Sequence, residues 1–214
     1  MKKLESSLSN MLLVLVGFSV VIGALLAYVN HLTQGEIEKK KAAQLQAGIV
    51  SVMGNSSIKV TKTDSVNEVI DGKTADFVIH NISDAQGQPL GAAVESATSG
   101  FGGPLKVLVG FDTTGKILGY TILESSETPG LGMKAGDWFQ KGGKGCVIGL
   151  SPADGDLTVT KDGGKVDAIT ASTITSRAFL KAINQAYGAW NKDRGSVSQV
   201  KKNAAGANAT MIKD

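Results

Sequence analysis

The fold of this chain is decided between Leu105 and Leu123, where the sequence reads L-K-V-L-V-G-F-D-T-T-G-K-I-L-G-Y-T-I-L. Two runs rich in apolar and β-branched residues, 105–112 and 116–123, flank the short polar segment T-T-G. Such a pattern predicts a β-hairpin, in which Gly115 occupies a turn position that requires positive φ.

Two further hairpins are predicted on either side of the first. They are formed by residues 77–83 with 90–97, around a turn at 84–89, and by residues 157–160 with 165–169, around D-G-G at 162–164. Consecutive hairpins of this kind predict a largely antiparallel sheet.

The last periodic segment, residues 172–191, is predicted to be a helix. Its apolar residues recur every three or four positions and form one stripe, at Phe179, Ile183, Ala186, Tyr187 and Trp190. A helix with such a stripe packs on a sheet, so the predicted class is α+β, an antiparallel sheet packed by helices and preceded by an N-terminal transmembrane helix.

The N-terminal apolar segment, Met11–Val29, contains no charge and no proline. At about 1.5 Å per residue it approaches the ~30 Å thickness of the hydrocarbon layer. It is longer than a signal-peptide core and lacks a small-x-small cleavage site, which favours an uncleaved anchor over residues 11–30. Lys2 and Lys3 weakly favour a cytoplasmic N-terminus, residues 1–10. We expect a stalk helix over residues 31–53.

The remaining chain is predicted to comprise a folded domain, residues 54–194, and a flexible tail, residues 195–214. Between Gly54 and Trp190 there are 12 Lys and Arg against 14 Asp and Glu, although the whole chain carries +3. This distribution disfavours nucleic-acid binding. A single cysteine and two distant histidines give no pattern for a disulfide or a metal site.

Two loops differ from the rest of the scaffold. The first loop, Ser99–Pro104, reads S-G-F-G-G-P, and the second loop, Glu124–Met133, reads E-S-S-E-T-P-G-L-G-M. Taken alone, the glycines indicate turns, because they lack the spacing of a phosphate loop. Glu124 and Glu127 could form a catalytic pair, but with no histidine or second acidic cluster nearby they are interpreted as solvent-facing carboxylates.

Five hydroxyl side chains crowd the start of the last predicted helix, at Thr170, Ser172, Thr173, Thr175 and Ser176. At 100° per residue, Ser172, Thr175 and Ser176 share one face. Capping by Ser172 or Thr173 uses one or two of the five hydroxyls. A helix N-terminus also favours an anion such as phosphate, so the residues alone leave capping and phosphate binding both open.

Residues 167–176, D-A-I-T-A-S-T-I-T-S, resemble the flavinylation motif of the FMN-binding domain family, whose usual form is D-x-x-[ST]-G-A-T-x-T-S. The sequence differs from that form at Ala171, where glycine is usual, and at Ser172, where alanine is usual. The first loop and the E-T-P-G-L-G segment of the second also resemble that family, in the same order. Within the family, the chain is most similar to the G subunits of Rnf-type ion-translocating electron-transport complexes.

The resemblance implies that a dedicated flavin transferase esterifies the phosphate of FMN to Thr175. The other cofactor-binding residues that it implies lie in the second loop and at the helix start, and are Glu127, Thr128, Gly130, Leu131, Gly132, Thr170, Ser172 and Thr173. No catalytic acid or base is expected from the chain, because the flavin itself performs redox chemistry.

The same resemblance implies an electron-transfer subunit of a translocase that links ferredoxin and NAD redox chemistry to ion transport. Its expected partners are the other subunits of the membrane complex and membrane lipid. A single pass through the cell inner membrane would place the soluble domain on the periplasmic side. The alternatives are the C subunit of the sodium-translocating NADH:quinone reductase, a stand-alone anchored extracytoplasmic flavoprotein, and an anchored binding domain without flavin.

Overall fold

The computed structural model describes residues 8–70 and 72–210, with side chains described as far as residue 195. Residues 1–7 of the expected cytoplasmic segment and 211–214 of the expected tail lie outside the described residues. The helices and strands are α1 (Leu8–Met53), β1 (Lys59–Ile70), β2 (Lys73–Ser83), β3 (Pro89–Ser99), β4 (Pro104–Asp112), β5 (Ile117–Ser125), α2 (Ala135–Trp138) and α3 (Thr173–Thr210). The predicted α+β class is confirmed.

The chain divides between Leu45 and Gln46 into two units. The first unit contains most of α1, whose most apolar 18-residue window has a mean hydropathy of 2.7 and is not buried in the protein. A helix that is apolar on all sides needs an apolar environment all round. This helix is long and apolar enough to cross a membrane. The predicted anchor and stalk form one uninterrupted helix that ends at Met53.

The second unit is built on a five-stranded sheet in which β1 to β5 follow one another in chain order, every neighbouring pair being antiparallel. The β4–β5 hairpin is confirmed, with Gly115 at a φ of 91°. In its turn, one carboxylate oxygen of Asp112 accepts the N–H groups of Thr114 at 2.8 Å and Lys116 at 3.0 Å. The β2–β3 hairpin is confirmed as well.

The core lies between the sheet and α3. The predicted stripe of α3 is confirmed, since Phe179, Ile183 and Trp190 are buried against the sheet. Phe179 stacks on Phe139 with ring centroids 4.4 Å apart, and Trp190 stacks on Phe111 at 5.5 Å. These contacts fix the rotation of α3 and therefore decide which residues of its first turn face inward.

The third predicted hairpin is wrong. Residues 157–169 form a 3-10 turn, Thr160–Asp162, and a single parallel bridge between Val159 and Val166. The D-G-G segment is a turn, with Gly163 at a φ of 85°. Its flanks run parallel where they meet, and they are joined by hydrogen bonds from the Thr160 N–H to the Val166 oxygen at 2.9 Å and from the Val166 N–H to the Thr158 oxygen at 3.2 Å. Val159 and Val166 are both buried in the core.

The structure also contains a strand that was not predicted, β1, which forms the outer edge of the sheet beside β2. In addition, α3 continues past its predicted end at Asn191 as far as Thr210. The expectation that residues 195–214 form a flexible tail stays a prediction.

Candidate functional site

Both loops leave the sheet at the end where α3 begins. The register pairs Ser99 with Pro104 across β3 and β4, and Leu105 with Ser125 across β4 and β5, so the first and second loops emerge side by side. The hydroxyl of Thr98 donates to the backbone oxygen of Ala178 at 3.0 Å and holds α3 at this end. The three segments whose sequences resemble the flavin-binding family therefore meet at one place.

Glu127 connects these segments. Its side chain is buried, with the residue 5% exposed. One carboxylate oxygen, Oε1, accepts the N–H of Phe101 at 2.7 Å, and the other, Oε2, accepts the hydroxyl of Thr175 at 2.9 Å. The interpretation of Glu127 as solvent-facing is therefore wrong, whereas Glu124 is exposed as expected.

Glycines allow the loops to close around this carboxylate. A Cβ atom at Gly132 would lie 2.9 Å from Thr175 Oγ1 and would overlap Glu127 Oε2. A Cβ atom at Gly100 would overlap Glu127 Oε1. Both glycines are thus needed for close approach rather than for unusual backbone angles.

The five crowded hydroxyls have different surroundings. The predicted shared face is confirmed, because Ser172, Thr175 and Ser176 are all buried. The Ser176 hydroxyl donates to the backbone oxygen of Ser172 and accepts the N–H of Ile169, both at 2.9 Å. It therefore stabilises the backbone where α3 begins, whereas the Thr175 hydroxyl bonds to a side chain.

The other two hydroxyls lie toward the surface. Thr173 is half-buried, and its hydroxyl oxygen accepts a hydrogen bond from Lys161 Nζ at 3.1 Å. Thr170 is exposed. Ser172 immediately precedes α3, in the position of the predicted N-cap.

A cavity of about 410 Å³ lies in front of Thr175, within the ~300–1,000 Å³ range of small-molecule sites. Seven of the nine predicted cofactor-binding residues line it, namely Glu127, Thr128, Leu131, Gly132, Ser172, Thr173 and Thr175. Thr170 and Gly130 are exposed outside this lining.

Three lining residues were missed in the sequence, Ala171 and the larger apolar residues Phe101 and Ile174. Phe101 is 70% exposed and Ile174 is 52% exposed, and Leu131, which lines the same cavity, is 42% exposed. Phe101 lies inside the first loop and Ile174 inside the hydroxyl motif, and this position was the signal that could have identified them as site residues. Three large apolar side chains thus line the exposed part of a cavity whose wall also contains the polar residues Glu127 and Thr175. This arrangement suits a flat aromatic ligand.

Positive charge lies next to this cavity. Lys161 reaches its edge through Thr173. Arg177 forms two hydrogen bonds of 2.7 Å to the carboxylate of Asp162, and this interaction lowers the pKa of Asp162. Because Arg177 is held by Asp162, we expect Lys161 to be the side chain better able to meet an anion at the start of α3.

A larger groove, of about 590 Å³, is lined in part by Arg177. It contains none of the nine predicted residues, and ion pairs between Asp162 and Arg177 and between Glu68 and Lys192 run along it. The smaller cavity is therefore the one that the predicted cofactor-binding residues line.

Ala171 has a φ of 61° and is the one non-glycine residue with positive φ among residues 8–70 and 72–210. It lies where the flavinylation motif usually has glycine. A side chain in this region of the backbone map is strained by about 1–2 kcal/mol. The turn that leads into α3 is therefore built for glycine and occupied by the next smallest residue.

Comparison with known proteins places this site in a family. Residues 100–188, which include both loops' glycine segments and the start of α3, match the model of the FMN-binding domain. The chain is 33% identical over 183 residues to the G subunit of the ion-translocating oxidoreductase complex of Shewanella oneidensis, covering 81% of this chain and 85% of that protein. It is 30% identical over 204 residues to the corresponding protein of Vibrio parahaemolyticus, covering 89% and 93%.

The fold also matches a solved structure. The crystal structure of Shewanella oneidensis NqrC aligns with a TM-score of 0.53 over 71% of this chain and 94% of that one. At 18% identity this similarity shows the fold alone.

Proposed function

The chain belongs to the FMN-binding-domain family that includes the G subunits of ion-translocating oxidoreductase complexes, and on this basis we propose that it is an electron-transfer subunit with one FMN esterified through its phosphate to Thr175. The observation that carries the proposal is the position of Thr175, whose hydroxyl lies at the wall of the cavity between the two glycine-containing loops.

The residues around the cavity fit an FMN group. Phe101, Leu131 and Ile174 offer apolar surface for a flat ring. The start of α3 supplies backbone N–H donors, and Lys161 supplies a positive charge, for a phosphate beside Thr175. When bound, FMN supplies the one- and two-electron redox chemistry of its isoalloxazine ring.

Each group of residues has its own role in this proposal. Thr170, Ser172 and Thr173 lie around the phosphate, whereas Thr128, Gly130 and Gly132 allow the second loop to approach the ring closely. Leu131 covers the ring and excludes water, and lower polarity disfavours an anionic reduced flavin relative to the neutral oxidised one. The protein thereby sets the reduction potential without contributing an acid or base to the redox step.

The wider assignment follows from the same family membership. We propose that α1 anchors the protein in the cell inner membrane, that the domain faces the periplasm, and that it works with the other subunits of an Rnf-type complex linking ferredoxin and NAD to ion translocation. A covalent bond suits an exported domain, because FMN released outside the cytoplasm is lost to the cell. Protease added to spheroplasts, which digests the domain only if it faces outward, tests the side of the membrane.

Attachment is tested by Thr175→Val, which replaces the hydroxyl with a methyl group of similar size. Protein from the native host should have a mass greater than the polypeptide by one FMN less one water, and should fluoresce on a denaturing gel. Thr175→Val should lose both signals and remain folded.

Thr173→Val is the matched control, because it is the same substitution at a second hydroxyl that lines the same cavity. It should retain covalent flavin, at a reduced level if Lys161 aligns the phosphate through Thr173. Covalent flavin in Thr175→Val would contradict the proposed attachment site.

A further inference from the structure

We propose that Glu127 accepts the hydroxyl proton of Thr175 when FMN is attached, and that the proton then remains on Glu127. This inference rests on the proposed attachment at Thr175. It gives a function to a buried carboxylate that the redox chemistry itself does not require.

The geometry is that of a nucleophile and its base. Glu127 Oε2 lies 2.9 Å from Thr175 Oγ1, within the roughly 2.6–3.2 Å over which a general base takes a proton. A threonine hydroxyl is a weak nucleophile until an adjacent base removes its proton. The Phe101 N–H holds the second carboxylate oxygen at 2.7 Å, so the orientation of Glu127 is set before any reaction begins.

The attachment step balances with a flavin dinucleotide as donor. The phosphate of free FMN carries no good leaving group, whereas in the dinucleotide the same phosphorus carries adenylate. Thr175 Oγ1 forms the new bond to phosphorus, and the bond from phosphorus to the adenylate oxygen breaks, its electron pair leaving with AMP. The hydroxyl proton of Thr175 passes to Glu127 Oε2, and no group is oxidised or reduced.

Charge explains why the proton stays. After attachment, Thr175 carries a phosphodiester with one negative charge beside a carboxylate that is buried and shares the same site. Two anions in one buried site cannot both stay ionised without a large penalty, and the usual result is that one of them is protonated. A neutral Glu127 leaves the site with a single negative charge and can donate a hydrogen bond where it previously accepted one.

The test uses unmodified full-length protein in detergent, a purified flavin transferase and flavin adenine dinucleotide, with attachment followed by intact mass. Glu127→Gln is isosteric and its amide oxygen can still accept the Phe101 N–H, but its NH₂ group donates to Thr175 instead of accepting. We expect attachment to be at least about 100-fold slower, in line with the contribution of a general base. Glu127→Asp keeps a carboxylate and should recover part of the rate.

Glu124→Gln is the control, since it removes an exposed carboxylate three positions earlier and should leave the rate unchanged. Attachment to Glu127→Gln at the wild-type rate would overturn the role as proton acceptor. The proposed attachment itself fails by a different result, namely wild-type protein without covalent flavin or Thr175→Val with it.

A second measurement needs no variant that could fail to fold. The infrared difference spectrum of attached minus unattached wild-type protein should contain the carbonyl band of a newly protonated carboxylic acid, and Glu124→Gln should retain it. A complete attachment reaction without that band would show that the proton leaves the site and would overturn its retention on Glu127.

Discussion

The first turn of α3 and its later turns belong to the same helix but face different surroundings. In the later turns, Phe179, Ile183 and Trp190 are buried in an aromatic core over the sheet. In the first turn, Thr175 and Ser176 are buried equally well, yet they are polar and lie where loops rather than strands cover the helix. Helical periodicity is the same in both regions, so burial alone does not distinguish a core from a site.

What distinguishes the two regions is the kind of partner that each buried group has. Ser176 bonds to two backbone groups and so belongs to the fold, whereas Thr175 bonds to the side chain of Glu127 at the wall of a cavity. Two adjacent hydroxyls of equal burial thus differ in their partners, and we assign Ser176 to the fold and propose Thr175 for the site.

The largest expected effect comes from removing a core side chain in the later turns of α3. Phe179→Ala removes a ring that stacks on Phe139 at 4.4 Å and meets the edge of Tyr120 at 4.7 Å. The free energy of unfolding should fall by about 3–5 kcal/mol, measured by urea denaturation. The folded fraction should still attach flavin.

Leu118→Ala, which truncates an apolar side chain that is 40% exposed, is its control and should change stability by no more than about 0.5 kcal/mol. If folded Phe179→Ala protein could not be modified, the later turns would take part in the site and the comparison would break.

A smaller effect is expected at Ser176. In Ser176→Ala the buried N–H of Ile169 loses its acceptor, and an unsatisfied buried donor costs about 1–3 kcal/mol of unfolding free energy. Covalent attachment, read from the intact mass, should be retained. Folded Ser176→Ala protein without covalent flavin would instead assign this hydroxyl to the site. We therefore expect Thr175→Val to lose covalent flavin and remain folded, and Ser176→Ala to lose stability and keep covalent flavin.

The smallest effect concerns the turn before α3. Ala171→Gly removes the backbone strain of a side chain at a φ of 61°, but it also increases the conformational freedom of the unfolded chain. The net result should be a stabilisation of about 0.5–1 kcal/mol. Thr170→Gly, at the neighbouring residue without positive φ, should have the opposite sign. A destabilised Ala171→Gly protein, measured by the same urea denaturation, would show that the turn is not strained.

Local chemistry made much of the fold predictable. The β4–β5 turn is specified by Asp112 and Gly115, which act within five residues of each other, and α3 by a stripe that repeats within one helix. By contrast, β1 was missed because it is an edge strand whose side chains are mostly exposed, so its sequence lacks apolar alternation. The D-G-G turn was recognised, but whether its flanks pair depends on packing beneath α3.

The candidate site was likewise predictable only in part. Its hydroxyl motif and both loops are visible as short sequence patterns, but the environment of Glu127 is not. The partners of Glu127 are Phe101 and Thr175, which are 26 and 48 residues away. No local pattern encodes contacts of that range, which is why a buried carboxylate was interpreted as a surface one.

The burial of Thr175 has a consequence for the proposed attachment. The residue is only 1% exposed, and its contact with Glu127 exists only in the closed site, so the phosphate donor has to enter through the cavity that Thr175 lines. An ester formed there would be reached by water only through the same cavity. The lifetime of such an ester would then depend on how well the cofactor itself fills that entrance.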